Sequence, residues 1–127
     1  MTRCSGLDLF VSAGPSEEQC TSVIAAVLGL GRARLVQAED FDALLAAIES
    51  ATAGWVVCHY SGDADYPYRF DVNLIDGRSP IDLVPEIVRK LGVAIVVPDD
   101  GNVDPYAGLR FALGETVQPF SLLPFDD

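Results

Sequence analysis

The stretch 54–76, GWVVCHYSGDADYPYRFDVNLID, constrains the fold of this chain most, because it holds two strand-like segments close together. Residues 55–60 are an apolar run rich in β-branched and aromatic side chains. Residues 68–75 alternate. Phe70, Val72 and Leu74 fall on one side, and Arg69, Asp71 and Asn73 on the other, the pattern of a strand with one buried face. Residues 61–67 carry Gly, Asp and Pro, which are turn formers. A link this short leaves no room for a crossover, so the two strands are expected to pair antiparallel. Asp76-Gly77 closes the unit as a turn.

Before this hairpin the order alternates between strand and helix. Residues 7–13 form a short apolar run ended by Gly14-Pro15, expected as an interior strand. Ser16 then opens a helix, with Gln19 at the capping-box spacing and Glu17 and Glu18 in the first turn, where the helix dipole favours acids. Cys20, Val23, Ile24, Val27 and Leu28 share one helical face, and Gly29 is the expected stop. Gly29-Leu30-Gly31 does not read as a phosphate loop. Such a loop leads from strand to helix, whereas these glycines follow a helix and the third glycine is missing. Residues 33–38 are expected as a second strand. A second helix begins at Glu39-Asp40, buries Phe41, Leu44, Leu45 and Ile48, and ends at Gly54. Strand, helix, strand, helix, strand is the order of parallel βαβ units.

After the hairpin, Ser79-Pro80 signals a third helix. Pro85 means either that the segment before it is one loose turn or that the helix kinks there. Ile87, Val88 and Leu91 face inward and Gly92 ends the helix. Residues 93–97 are a continuous run typical of a central strand. Two more strands follow, near 107–113 and 117–122, with Gly114-Glu115 between them as a hairpin turn. The fold expected is a single α/β domain over residues 1–127, or α+β, with a mixed sheet of about five to seven strands and three helices.

Charge narrows the function. Nineteen Asp and Glu against eight Lys and Arg give a formal net charge of −11. That field repels phosphate backbones and anionic membranes, so no nucleic-acid or membrane partner is expected. It attracts a basic protein and speeds encounter with it. Cys4, Cys20 and Cys58 form no metal-ligand spacing and leave one unpaired, which suits reduced thiols in a cytoplasm. The N-terminus has no signal-peptide pattern, no apolar run is long enough for a bilayer, and no repeat is visible.

Each chemical motif meets a simpler reading. His59 neighbours Cys58, but adjacent strand residues point to opposite faces, so the two cannot form a catalytic pair. Metal binding by His59, Asp63 and Asp65 would lack a second histidine. The loop 98–105 is acidic like a calcium loop, yet its glycine and its twelfth residue, Arg110, are wrong for an EF-hand. Nucleophile-elbow, Walker and zinc-protease motifs are all missing. No catalytic residue, metal or cofactor is therefore expected. Two acidic-aromatic loops stand out instead. Asp63, Asp65, Tyr66 and Tyr68 cluster in one, and Asp99, Asp100, Asp104 and Tyr106 in the other. Tyrosines beside acids suit an Arg- or Lys-rich surface, although the same residues also build ordinary turns. If the strands ending at Tyr60 and Val97 run parallel, both loops leave the same edge of the sheet.

In length, acidity and loops such as Asp63-Ala64-Asp65-Tyr66-Pro67-Tyr68, the chain resembles the small immunity proteins of bacterial toxin clusters. That resemblance is one of type and carries no diagnostic motif. It implies a cytoplasmic, non-enzymatic, stoichiometric inhibitor that covers a basic toxin domain. Two other classes stand beside it: a small-molecule-binding regulatory domain with its ligand above Gly77 or Gly101, and a minor hydrolase using Cys58 or His59.

Overall fold

A computed structural model describes residues 5–29, 36–37, 54–61, 63–74, 77–99 and 102–123. The strands are β1 (Ser5–Val11), β2 (Val36–Gln37), β3 (Gly54–Tyr60), β4 (Tyr68–Leu74), β5 (Ile95–Pro98), β6 (Ala107–Phe111) and β7 (Gln118–Ser121). The helices are α1 (Glu17–Leu28) and α2 (Val84–Leu91), the latter preceded by a 3₁₀ turn at Pro80–Leu83. All strands join one seven-stranded sheet in the order β2-β3-β4-β1-β5-β6-β7. The fold is thus a mixed sheet with helices, as expected. The second helix expected after Glu39 lies outside the described residues.

The β3–β4 hairpin forms as its pattern requires, with Cys58 opposite Phe70 and Val56 opposite Val72. β4 then pairs antiparallel with β1 in full register, Leu7 opposite Val72 and Leu9 opposite Phe70. The expected run of parallel βαβ units is not what forms. Only β2 and β3 are parallel, and the six strands from β3 to β7 across the sheet are antiparallel. The reason is the short hairpin. β4 has to return beside β3, and it takes the position next to β1 that a parallel neighbour would occupy.

α1 carries the capping box in full. The Gln19 N–H donates to Ser16 Oγ at 3.2 Å, and the Ser16 N–H donates to Gln19 Oε1 at 2.8 Å. It stops at Gly29, whose φ of 67° lies in the left-handed region open to glycine at little cost. Pro85 is accommodated by starting α2 late. The Pro80–Leu83 segment is a separate tight turn, and the proline falls in the first turn of α2, where no intrahelical donor is lost.

Both helices cover the same sheet face. Cys20, Ile24 and Leu28 from α1 and Val84, Ile87 and Val88 from α2 pack on Leu9, Val11, Val56, Phe70, Val72, Leu74, Ile95 and Val97. On the second face a smaller cluster joins Phe10, Tyr66 and Val96, with Phe120 and Leu122 against it. β5 is buried on both faces, since Ile95, Val96 and Val97 are fully inaccessible, and its unbroken apolar run follows from this.

Candidate functional site

Counting strand directions across the sheet settles where the two acidic-aromatic loops lie. β3 and β1 run the same way because β4 lies between them, and β5 is antiparallel to β1. β3 and β5 therefore point in opposite directions. The loop 61–67 leaves one end of the sheet and the loop 99–106 leaves the other. The parallel arrangement that would put all eight residues on one edge does not occur.

The 61–67 loop is bound up with its own construction. Asp63 Oδ1 accepts the N–H groups of Asp65 at 2.8 Å and Tyr66 at 3.1 Å. Ser61 Oγ accepts the Asp63 N–H at 3.1 Å and donates to the Tyr66 carbonyl. The Ala13 N–H donates to the Asp65 carbonyl at 2.8 Å, which ties the loop to the end of β1. Tyr66 is buried, edge-on to Phe120 with ring centroids 5.6 Å apart. Its hydroxyl contacts Arg110, and that hydrogen bond does most to hold the guanidinium above its ordinary value. Tyr68 is half-buried against Tyr60 and Phe70, at 5.7 and 6.3 Å. Of the four residues expected to face a partner, Asp65 alone is exposed.

The 99–106 loop is built differently. The Asn102 N–H donates to the Asp99 carbonyl at 3.0 Å, and the Asp99 N–H to the Ala107 carbonyl at 2.9 Å. Asn102 Oδ1 accepts the Asp104 N–H at 3.0 Å, and Asp104 Oδ1 accepts the Tyr106 N–H at 2.9 Å. Asp104 and Tyr106 are exposed and Asp99 half-exposed. Asp100 and Gly101 lie outside the described residues. Between this loop and β6–β7 runs a groove of about 390 Å³.

A third polar group was not anticipated as a unit. The face of the sheet away from the helices brings Asp8, His59, Arg69 and Asp71 together. Asp8 and Asp71 are directly opposite in the β1–β4 register, and His59 is opposite Arg69 in β3–β4. His59 Nε2 lies 2.7 Å from Asp71 Oδ2, and Arg69 Nε lies 3.5 Å from Asp71 Oδ1. Burial pushes the Asp71 carboxyl up. The hydrogen bond from Asp8, the Arg69 and His59 charges and the His59 hydrogen bond outweigh it and hold the group below the usual carboxylate range. Asp8, Arg69, Asp71 and Asn73 line a concavity of about 400 Å³. The alternation of β4 placed Arg69, Asp71 and Asn73 on one face. What it lacked was the identity of the strand beside them.

Cys58 and His59 do point to opposite faces. Cys58 joins the helix-side core, and burial pushes its thiol up to about 12. Cys20 is raised to about 11, also mainly by burial. Thiols held this high carry little thiolate, which is the reactive form. Among the described residues no group of three or more His, Cys, Asp or Glu is placed to hold a metal ion. The described helices include none long and apolar enough to cross a membrane. No family model matches the chain, and neither a curated protein nor a solved structure is significantly similar to it.

Proposed function

We propose that this chain is a protein-binding module that inhibits a basic partner by covering it, in the manner of an immunity protein. The observation that carries the reading is where the charges are. Arg89 pairs with Glu86 on the same helix at 2.9 Å, Arg110 with Glu115 across the β6–β7 turn at 3.5 Å, and Arg69 with Asp71 within β4. Three of the eight Lys and Arg are thus matched by a close acid. Glu18, Asp65, Asp82, Asp99 and Asp104 have no ion pair among the described residues. These carboxylates are at least partly exposed, in a chain whose formal net charge is −11. Fixed acids of one sign steer a basic partner and suppress acidic ones.

The test is co-expression with the product of the adjacent reading frame, followed by isolation of the complex and stopped-flow association. A one-to-one complex whose association rate falls steeply between about 0.05 and 0.5 M salt is expected. A rate indifferent to salt, or no complex, refutes the reading. Asp65→Lys is a cleaner probe of the first loop than Asp63→Lys, which would also remove the acceptor that builds the turn.

The concavity beside Asp8 and Asp71 favours a second reading, a domain that binds a small polar molecule. A metabolite that raises the melting temperature, and fails to do so in an Asn73→Leu protein, would support it.

A further inference from the structure

We infer that Cys20 on α1 and Cys58 on β3 join as a disulfide when a low-molecular-weight disulfide oxidises the chain, a redox lock that ties the first helix to the central hairpin. The inference stands apart from the partner reading above. The two residues belong to facing stripes of one core cluster. On α1, Glu17, Cys20 and Ile24 follow the spacing of a single helical face, and Cys20 and Ile24 are fully buried. On β3, Val56, Cys58 and Tyr60 alternate onto the sheet face that the helices cover. α1 follows β1 and runs back along the sheet, so it is antiparallel to β3, which points the same way as β1. The Tyr60 hydroxyl donates to Glu17 Oε2 at 2.5 Å, which pins the first turn of α1 to the end of β3. Moving inward from that bond, three residues on the helix and two on the strand bring Cys20 over Cys58, advances of about 4.5 and 6.8 Å.

The thiols are near enough to act on each other. Burial, then the Glu17 charge, then Cys20 itself raise Cys58 to about 12. Burial does most to raise Cys20 to about 11, with Glu17 adding to it. The Cys58 thiol donates only a weak bond, 3.9 Å to the His59 carbonyl, so little holds its sulfur away from a new partner. Such thiols are inert while the core is closed, and the lock is set when α1 lifts. One cysteine, as the thiolate, then attacks a sulfur of the oxidant and expels one half of it as a thiolate, leaving a mixed disulfide. As α1 settles back, the second cysteine gives its proton to water and attacks the protein sulfur of that bond. The remaining half of the oxidant leaves as a thiolate and takes up a proton. Two protein thiols are oxidised and one oxidant disulfide is reduced to two thiols. A core in which Cys20 is fully buried has no space for the retained half, so refolding drives the second step.

The bond closes a loop of about 40 residues. Constraint of that size on the unfolded chain raises the Tm of a protein this long by about 10 °C. It also holds α1 on the sheet. The reduced chain can open at α1 by itself, whereas the oxidised chain opens there only when the hairpin comes away as well.

The test uses the full chain with Cys4→Ser, which keeps only Cys20 and Cys58. It is incubated with oxidised glutathione in urea just below the unfolding midpoint, so that opening is frequent, and then returned to buffer. Intact mass is expected to show a monomer lighter by two hydrogens, with no glutathione retained and no free thiol after denaturation. Its Tm should rise by about 10 °C and fall back with dithiothreitol. Amide hydrogen exchange along α1 should slow at least about tenfold in the oxidised chain. Adding Cys58→Ala should leave glutathione on Cys20 and give no rise in Tm. In fully denaturing urea the pair loses its proximity, and glutathione adducts should outnumber the internal disulfide. Persistent glutathione adducts after return to buffer overturn the lock, as do thiols still free or disulfide-linked dimers. So does an internal disulfide formed equally well in the folded and unfolded chain, or one that lowers the Tm.

Discussion

Replacing Asp71 by Asn tests the polar group on the second sheet face. The carboxylate accepts from His59 at 2.7 Å and faces Arg69 Nε at 3.5 Å, with 31% of its side chain exposed. Asn keeps an acceptor of the same shape and loses the charge. A hydrogen bond to a charged group contributes about 1.5–3 kcal/mol, and partial exposure reduces the charge-dependent part to about 1 kcal/mol. With an unfolding entropy of about 2.1 cal/mol/K per residue over 127 residues, that is a fall in Tm of about 4 °C. The pH dependence is the sharper criterion. The folded pKa of Asp71 lies below the unfolded value of about 3.9. The stabilisation is then complete above that pH and is lost as pH falls through the folded pKa. Urea unfolding followed by the fluorescence of Trp55, the only tryptophan, reads both effects. The gap between the native and Asn proteins should be present at neutral pH and close in acid. A gap of equal size at both ends of the series would show that ionisation is not its source. Asp8→Asn is the matching control. Its amide can donate to Asp71 at every pH from the position directly across the strands. It should therefore cost no stability at neutral pH, and a large loss would mean that the Asp8 carboxyl does something there that a donating amide cannot replace.

Phe70 is fully buried, and Phe70→Ala should cost about 3–5 kcal/mol in the same unfolding assay; a cost under about 1 kcal/mol would contradict the packing described. Ser16→Ala removes one half of the capping box and should lower stability by about 1 kcal/mol, whereas Ser16→Asp should restore it. In a Cys4→Ser background, Cys20 and Cys58 should react with a thiol reagent at mildly alkaline pH only as fast as the protein opens. Prompt labelling of the native protein would mean that these thiols are not held near 11 and 12.

Local chemistry was legible from the sequence wherever it is set by neighbours along the chain. Ser16, Gln19 and Gly29 marked the ends of α1, and Pro85 marked a break that the 3₁₀ turn supplies. The alternation of Phe70, Val72 and Leu74 gave the buried face of β4. The loop residues were visible too, but not their use. Asp63 reads the same whether its carboxylate meets a partner or its own turn, and in the structure one of its oxygens accepts two backbone N–H groups of the turn. Tyr66 gave no sign that it would be buried against Phe120, far away in the chain.

Among the described residues, the sequence by itself determined which segments are strands and helices and which face of each is apolar, and it set the net charge at −11. Those properties follow from spacing of two and of 3.6 residues and from a sum of charges, and neither needs to know which strand lies beside which. Tertiary structure alone decided that β1 sits between β4 and β5. That single placement reverses β5 relative to β3, sends the two acidic loops to opposite ends of the sheet, and sets Asp8 against Asp71. Strand order is fixed by the packing of the whole apolar face at once, so no local pattern along the chain carries it.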